Sequence, residues 1–366
     1  MHKKAWLLLL VFLTAMLIQP AKSWAEPKLR AEAAVLIDGY TGEILWEKNA
    51  HKFRHPASTV KILTALITLN LENLDQKVVI GKKAHQTYVG QTIGLKEGDV
   101  MTVRDLMGAA LLWSANDAAV ALAEHVTGDP KLFSLFMNKK AWALGAFQSS
   151  FRNPNGYSVP GQYSTAYDLA LMARAAMEQP FFAETVKKNS VEIKWLNREK
   201  SKTVSNTNGL LDFYAGANGV KTGTTNAAGG CLVASAVRNG KWYIATVLGS
   251  SRRYDDAAGL LNYGFEKFDQ IVVRPGEIFD RIKVINGEPD YVEVVPKTGL
   301  YCSFLKDAAG DWQVKNNIVQ TVKAPVRKGQ VLGTVEVYFQ GQLKEKSELA
   351  ANNGVKRARI FNFRNK

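Results

Sequence analysis

Acidic side chains are the scarce charge in this 366-residue chain: 33 Asp and Glu stand against 47 Lys and Arg, a formal net charge of +14. That excess suits an anionic surface such as a cell wall or membrane. The chain carries no reader motif for nucleic acid, so no nucleic-acid partner is expected. Cysteine is scarcer still. Cys231 and Cys302 are the only two, and they form no C-x-x-C pair. Cys231 lies in an apolar strand-like run and Cys302 in what reads as a different domain, so no redox pair, zinc cluster or disulfide is expected. Five histidines and no G-x-S-x-G segment leave little for an ordinary Ser-His-Asp hydrolase, and His55, beside Ser58, reads as a residue that caps or solvates its loop. Neither a metal nor a cofactor is expected.

Beyond its first residues the chain also lacks an apolar run long enough to cross a membrane, which takes about 20 residues. The opening itself has Lys3 and Lys4, an apolar run from Ala5 to Ile18, and small residues at Ser23 and Ala25. This is the pattern of an export leader cut after Ala25, which makes the mature protein extracytoplasmic.

The length predicts two domains. Apolar and polar residues alternate from Glu32 to Lys48 around Gly39 and Gly42, predicting a hairpin. Helical spacing recurs over 58–70, 102–112, 115–126, 131–144, 165–177 and 256–263. Thr102 with Asp105 predicts one helix start, and Gly128 a helix stop. Two apolar runs joined by Asn239-Gly240 predict a second hairpin. The fold class is therefore α+β: an antiparallel sheet flanked by helices over 26–271, following the leader at 1–25. After Phe268 the chain turns valine-rich, with strand alternation and turn residues such as Asn286-Gly287. A small all-β domain is expected over 272–366, joined near Asp269–Pro275 and ending in a short tail with five positive charges.

Chemistry concentrates in three short motifs. Ser58 and Lys61 stand at i and i+3, on one face of a helix whose start Pro56 suits. A first-turn serine has an unpaired backbone N–H and the positive end of the helix dipole beneath it, a seat for a developing oxyanion. Lys61 could take the serine proton, but an ordinary lysine, with a pKa of about 10.4, is neutral only about once in 2,500 molecules at pH 7. Burial or a second cation must lower it. S-x-x-K is expected by chance about once or twice in such a chain, and Ser303 to Lys306 is a second copy, so the motif counts only with its company. Ser114-Ala115-Asn116 is the only S-x-N, between two apolar helical runs, where it would also serve as a helix cap. Lys221-Thr222-Gly223 falls just before the first strand of the second hairpin, where it would also serve as a solvated strand end. A further K-T-G at Lys297 precedes the spare S-x-x-K in the wrong order.

The order S-x-x-K, S-x-N, K-T-G, with helices between and a hairpin after, resembles the active-site set of penicillin-recognising serine enzymes. Longer stretches such as "SANDAAVALAEHVTGD", "FMNKKAWALGAFQSSFRNPNG" and "NTNGLLDFYAGANGVKTGTTNAAGGCLVASA" resemble the D-alanyl-D-alanine carboxypeptidases among the low-molecular-mass penicillin-binding proteins, of which the members similar to this chain also carry a C-terminal β domain. The resemblance implies a β-lactamase/DD-peptidase-like fold and an enzyme that removes the last D-alanine of a peptidoglycan stem pentapeptide through an acyl-enzyme on Ser58. Lys61 would be the acylation base. Ser114 and Lys221 would relay a proton to the leaving amine, with Lys221 helping to keep Lys61 neutral. Asn116 would hold the substrate amide and Lys61. The backbone N–H groups of Ser58 and Thr224 would form the oxyanion hole, and Thr222, Gly223 and Thr224 the substrate-binding strand. Arg253 would add charge for the terminal carboxylate, a task that the adjacent Arg252 could also serve.

β-Lactams would be inhibitors. A β-lactamase shares the three motifs but needs a deacylating glutamate, in class A within E-x-x-L-N. Glu192 to Leu196-Asn197 has one residue too many. A non-catalytic wall-binding protein would have lost a motif, and all three are complete. Many relatives end in a longer amphipathic helix; here the short tail offers only a few apolar and basic residues for peripheral contact with a membrane or an anionic wall.

Overall fold

The computed structural model describes residues 26–358. The expected leader, 1–25, and the end of the basic tail, 359–366, lie outside the described residues. The first hairpin forms as expected from β1 (Ala33–Asp38) and β2 (Ile44–Lys48), turning where Gly42 takes a φ of +81°. Further along the chain, β3 (Ala217–Thr225), β4 (Gly229–Arg238) and β5 (Lys241–Ser250) join these two in one antiparallel sheet of order β2–β1–β5–β4–β3. The turn between β4 and β5 is made by Asn239 and Gly240, at φ values of 50° and 79°. Both are positive, as a two-residue hairpin requires.

The helices lie between the two hairpins: α1 (Lys61–Leu71), α2 (Val103–Gly108), α3 (Asn116–Thr127), α4 (Pro130–Ala143) and α5 (Ala166–Met177), with α6 (Arg253–Lys267) after β5. Their ends follow local chemistry. The Thr102 hydroxyl accepts from the Asp105 N–H at the start of α2, and Gly128 at φ +74° closes α3. Both faces of the sheet are covered, which is why its strands read as near-continuous apolar runs. Val35, Ile37, Val233 and Ile244 pack in the core that includes α1, α3 and α5, while Leu36, Leu232, Ala234 and Tyr243 pack with Leu260 and Leu261 of α6.

The β-rich remainder also forms. β6 (Phe268–Val273) follows α6 directly and pairs with β9 (Leu300–Leu305). The composition shift at 271/272 thus falls inside a strand. β7 (Asp280–Ile285), β8 (Tyr291–Pro296), β10 (Trp312–Ile318), β11 (Thr321–Lys323), β12 (Val331–Phe339) and β13 (Gln342–Ala351) make a six-stranded sheet of order β10–β12–β13–β8–β7–β11. Its pairs are antiparallel except β7 with β11. Ile282, Val292, Val294, Val335, Val337 and Leu349 fill its own core. Cys231 and Cys302 are both free thiols.

Candidate active site

Ser58 stands in a 3-10 turn, Ala57–Val60, that leads into α1, rather than in the first α-helical turn expected from the sequence. The turn is tightened by Ala57, whose φ of 49° is in the left-handed region. For a residue with a Cβ that costs of order 1 kcal/mol, and such residues persist where the surroundings hold them. Two glycines do the holding. A Cβ on Gly156, itself at φ +86°, would lie 2.0 Å from the Ala57 carbonyl oxygen, and one on Gly223 would lie 2.8 Å from the Ser58 nitrogen. Backbone therefore presses on the turn from both sides, with no side chain between.

Lys61, the first residue of α1, is fully buried. Its Nζ lies 2.9 Å from the Ser58 Oγ, 2.7 Å from the Asn116 Oδ1 and 2.6 Å from the Asn155 carbonyl oxygen. Burial lowers its pKa well below the ordinary lysine value, the Lys221 charge lowers it further, and Asp117 opposes. A neutral lysine has two N–H groups and one lone pair. The Asn155 carbonyl can only accept, and the Asn116 Oδ1 must accept because its Nδ2 donates to the Val89 carbonyl at 2.7 Å. When Lys61 is neutral, those two acceptors consume both N–H groups and leave the lone pair for the Ser58 hydroxyl. The arrangement is that of a base aimed at its nucleophile.

Ser114 ends a π-helical turn, Ala109–Trp113, that continues from α2, and its φ of 67° is left-handed. Asn116 opens α3 two residues later. Asp117, beside it, accepts from the N–H groups of Ile93, Gly94, Leu95 and Ala118, strapping the 93–95 loop to the start of α3. Burial pushes the Asp117 carboxyl up and these backbone donors pull it down.

Lys221, Thr222 and Gly223 lie ahead of β4, as the sequence suggested, but within a strand of their own, β3, because strand pairing with Val233, Leu232 and Cys231 of β4 extends through them to Thr225. Lys221 is not a solvated strand end: it is 1 % exposed. Burial, then the nearby Arg253, brings its pKa down to about 7. Thr222 shares a 2.7 Å hydroxyl contact with Thr207. The neighbouring arginines take different partners. Arg253 Nη1 donates to the Gly223 carbonyl at 3.0 Å and to the Thr224 Oγ1 at 2.8 Å, while Arg252 pairs with Asp255 at 2.7 Å.

Ser58, Ser114, Asn116, Thr222, Gly223, Thr224 and Arg253 all line one cleft of about 600 Å³, with Lys61 and Lys221 buried beneath it. The spare motifs lie elsewhere. Ser303 is in β9, bonded to Asp38, and Lys297 pairs with Glu348 at 2.8 Å. Glu192 is an exposed residue paired with Lys194. His55 does not cap its loop through Nδ1, which is buried without a hydrogen-bond partner. Sequence reasoning missed Asn155, which acts through its backbone, and Thr207 and Asp117, which read as ordinary turn and first-turn residues. The Asn-Pro-Asn-Gly run at 153–156 was the one available signal.

The family model for D-alanyl-D-alanine carboxypeptidases matches residues 20–252, and that for the C-terminal domain of penicillin-binding protein 5 matches 269–357. The D-alanyl-D-alanine carboxypeptidase DacF of Bacillus subtilis is 32% identical over 94% of this chain and 91% of its own length. Among solved structures, penicillin binding protein 6B from Escherichia coli superposes with a TM-score of 0.68 at 29% identity, over 89% of this chain and 97% of that one. Penicillin binding protein 5 from Haemophilus influenzae gives 0.68 at 27% identity, over 92% and 100%.

Proposed function

The chain belongs to the D-alanyl-D-alanine carboxypeptidase family of serine peptidases, and on that premise we propose that it removes the terminal D-alanine of peptidoglycan stem pentapeptides through an acyl-enzyme on Ser58. Neutral Lys61 takes the Ser58 proton as Oγ attacks the carbonyl between the last two D-alanines. The backbone N–H groups of Ser58 and Thr224 receive the oxyanion, where one such donor is worth ~2.7–4 kcal/mol. The C–N bond breaks, Ser114 and Lys221 pass a proton to the leaving amine, and D-alanine departs. Water then cleaves the ester and frees the tetrapeptide. Asn116 holds the substrate amide, and Thr222, Thr224 and Arg253 meet the terminal carboxylate. β3 is the edge strand of its sheet, so an extended peptide can lie along its open side as a further strand.

β-Lactams acylate the same Ser58 and leave slowly. The protein acts outside the cytoplasm after losing residues 1–25, and its basic tail makes peripheral contact with a membrane or an anionic wall. The observation that carries the reading is the position of Lys61, fully buried with its Nζ 2.9 Å from the Ser58 Oγ and held by two further acceptors that, in a neutral lysine, would take both N–H groups.

D-alanine release from a pentapeptide tests it. Lys61→Arg keeps a cation that cannot be deprotonated near neutral pH, and activity is expected to fall by about 10²–10⁴-fold, the worth of a general base. An Arg variant with wild-type turnover would remove Lys61 from the base role.

A further inference from the structure

We propose that the outer face of α4, at the far end of α1 from the nucleophile, seats on an anionic lipid surface. The helix has two apolar faces. Phe133, Met137 and Ala141 are buried in the core, while Leu132, Leu135, Phe136 and Trp142 point outward at 43, 59, 41 and 68 % exposure. Phe147, just beyond the helix, is 63 % exposed and meets the Trp142 ring edge-to-face at 5.2 Å. The patch continues onto the end of α1, where Ile67, Leu71 and Phe136 with Lys139 and Lys140 frame a shallow hollow of about 320 Å³. An exposed apolar area gathered like this marks a contact surface rather than scattered surface hydrophobes.

Charge identifies the occupant. Between Asp129 and Asp168 the chain has no acidic residue, and α4 itself carries Lys131, Lys139 and Lys140. Among the described residues none of these three lysines forms an ion pair, although Lys83 nearby pairs with Asp129. Lysine is depleted in protein interfaces. The exposed Leu, Phe and Trp of α4, flanked by lysines and with no carboxylate within the helix, are the composition of a helix lying at a lipid–water boundary, where the rings enter the headgroup layer and the ammonium groups meet anionic lipids.

The geometry suits a wall enzyme. α1 runs from the nucleophile turn to Leu71, and at 1.5 Å rise per residue Ser58 is roughly 20 Å along its axis from the patch. With α4 on the lipid, the cleft is lifted off the surface and open to polymer. The inference rests on the extracytoplasmic location proposed above and not on the catalytic roles.

The test is co-sedimentation of the purified exported protein with vesicles of equimolar phosphatidylglycerol and phosphatidylcholine, and with phosphatidylcholine alone. The variants are the double changes Leu135→Glu with Trp142→Glu and Lys139→Glu with Lys140→Glu. Binding is expected only to the anionic vesicles, weakening with added salt, and lowered about tenfold or more by either double change. D-alanine release from a soluble pentapeptide is expected to be unchanged, which separates this inference from the catalytic reading and shows that the variants fold. Trp142 emission is expected to shift to the blue on vesicles, a shift lost in Trp142→Phe. The proposal is overturned if the wild type ignores anionic vesicles, if both double variants bind as well as it does, or if the apolar changes convert a dimer to a monomer, which would make a second copy the occupant.

Discussion

Arg253 acts on two partners at once, and its second effect is measurable. It meets Thr224 at the wall of the cleft, and its charge lowers Lys221. Acylation needs Lys61 neutral and Lys221 able to give a proton, so kcat/KM is expected to be bell-shaped in pH. Its alkaline limb belongs to loss of the Lys221 proton, at about 7. Arg253→Gln removes a repelling cation, which raises the Lys221 pKa and moves the alkaline limb upward. Burial, the larger cause, remains, so the limb stops short of the ordinary lysine value. A pH profile of D-alanine release by the two proteins checks this, and an unmoved limb would detach Lys221 from the proton relay. At this scale the sequence was informative about residue type and poor about backbone. Ser58, Lys61, Ser114, Asn116 and Lys221 are recognisable because the proposed chemistry calls for their side-chain types. Asn155 contributes a carbonyl oxygen, which any residue has, so its identity gives no sign of the role.

Among the elements, β3 and the Ala57–Val60 turn depend on each other through Gly223. An alanine there would place its Cβ 2.8 Å from the Ser58 nitrogen, 3.0 Å from the Ala57 Cβ and 3.1 Å from the Thr59 nitrogen. Two backbone nitrogens and the short Ala57 Cβ cannot yield as a flexible side chain would, so β3 must shift away from the nucleophile. Gly223→Ala is expected to keep the fold but slow acylation by 10²-fold or more, as a misplacement of about 1 Å does in a preorganised site. Stopped-flow acylation by a chromogenic cephalosporin measures it, and a wild-type rate would mean that the close packing has no part in catalysis. Elements with strong local signals were legible: the Asn239-Gly240 hairpin, the Thr102 cap and the Gly128 stop. The left-handed residues Ala57 and Ser114 were not, because neither type favours positive φ and only the tertiary packing imposes it. The placement of Lys221 inside β3 was hidden for a related reason, since a buried lysine in mid-strand runs against every local preference.

At the scale of the whole molecule, the β-rich part is joined to the helical part by polar as well as covalent links. The buried Asp38, at the end of β1, accepts from the Tyr40 and Thr41 N–H groups, from Gln270 Nε2 at 2.7 Å and from the Ser303 hydroxyl. The Tyr40 ring stacks on Tyr301 at 4.8 Å, and Arg274 reaches the Tyr40 hydroxyl at 2.9 Å. Removing one buried partner of such a network leaves a carboxylate short of donors. The double change Gln270→Ala with Tyr301→Ala is expected to turn one thermal transition into two while leaving D-alanine release from a soluble pentapeptide close to wild type, because the cleft is built without β6 to β13. Calorimetry separates the cases, and a single unshifted transition would show that this seam adds nothing to cohesion. The sequence disclosed that a β domain exists, through valine content and alternation. The seam itself was illegible, since Asp38 and Ser303 lie 265 residues apart and Ser303 read only as a spare motif.

All of this depends on Ser58 being the acylated residue. The most direct measurement is the intact mass of the purified protein, wild type and Ser58→Ala, after exposure to benzylpenicillin and, separately, to a pentapeptide ending in D-Ala-D-Ala. A long-lived penicilloyl adduct is expected on the wild type alone, with D-alanine released from the pentapeptide by that protein and not by the variant. An adduct that survives in Ser58→Ala, or penicillin hydrolysed rapidly without one, would contradict this.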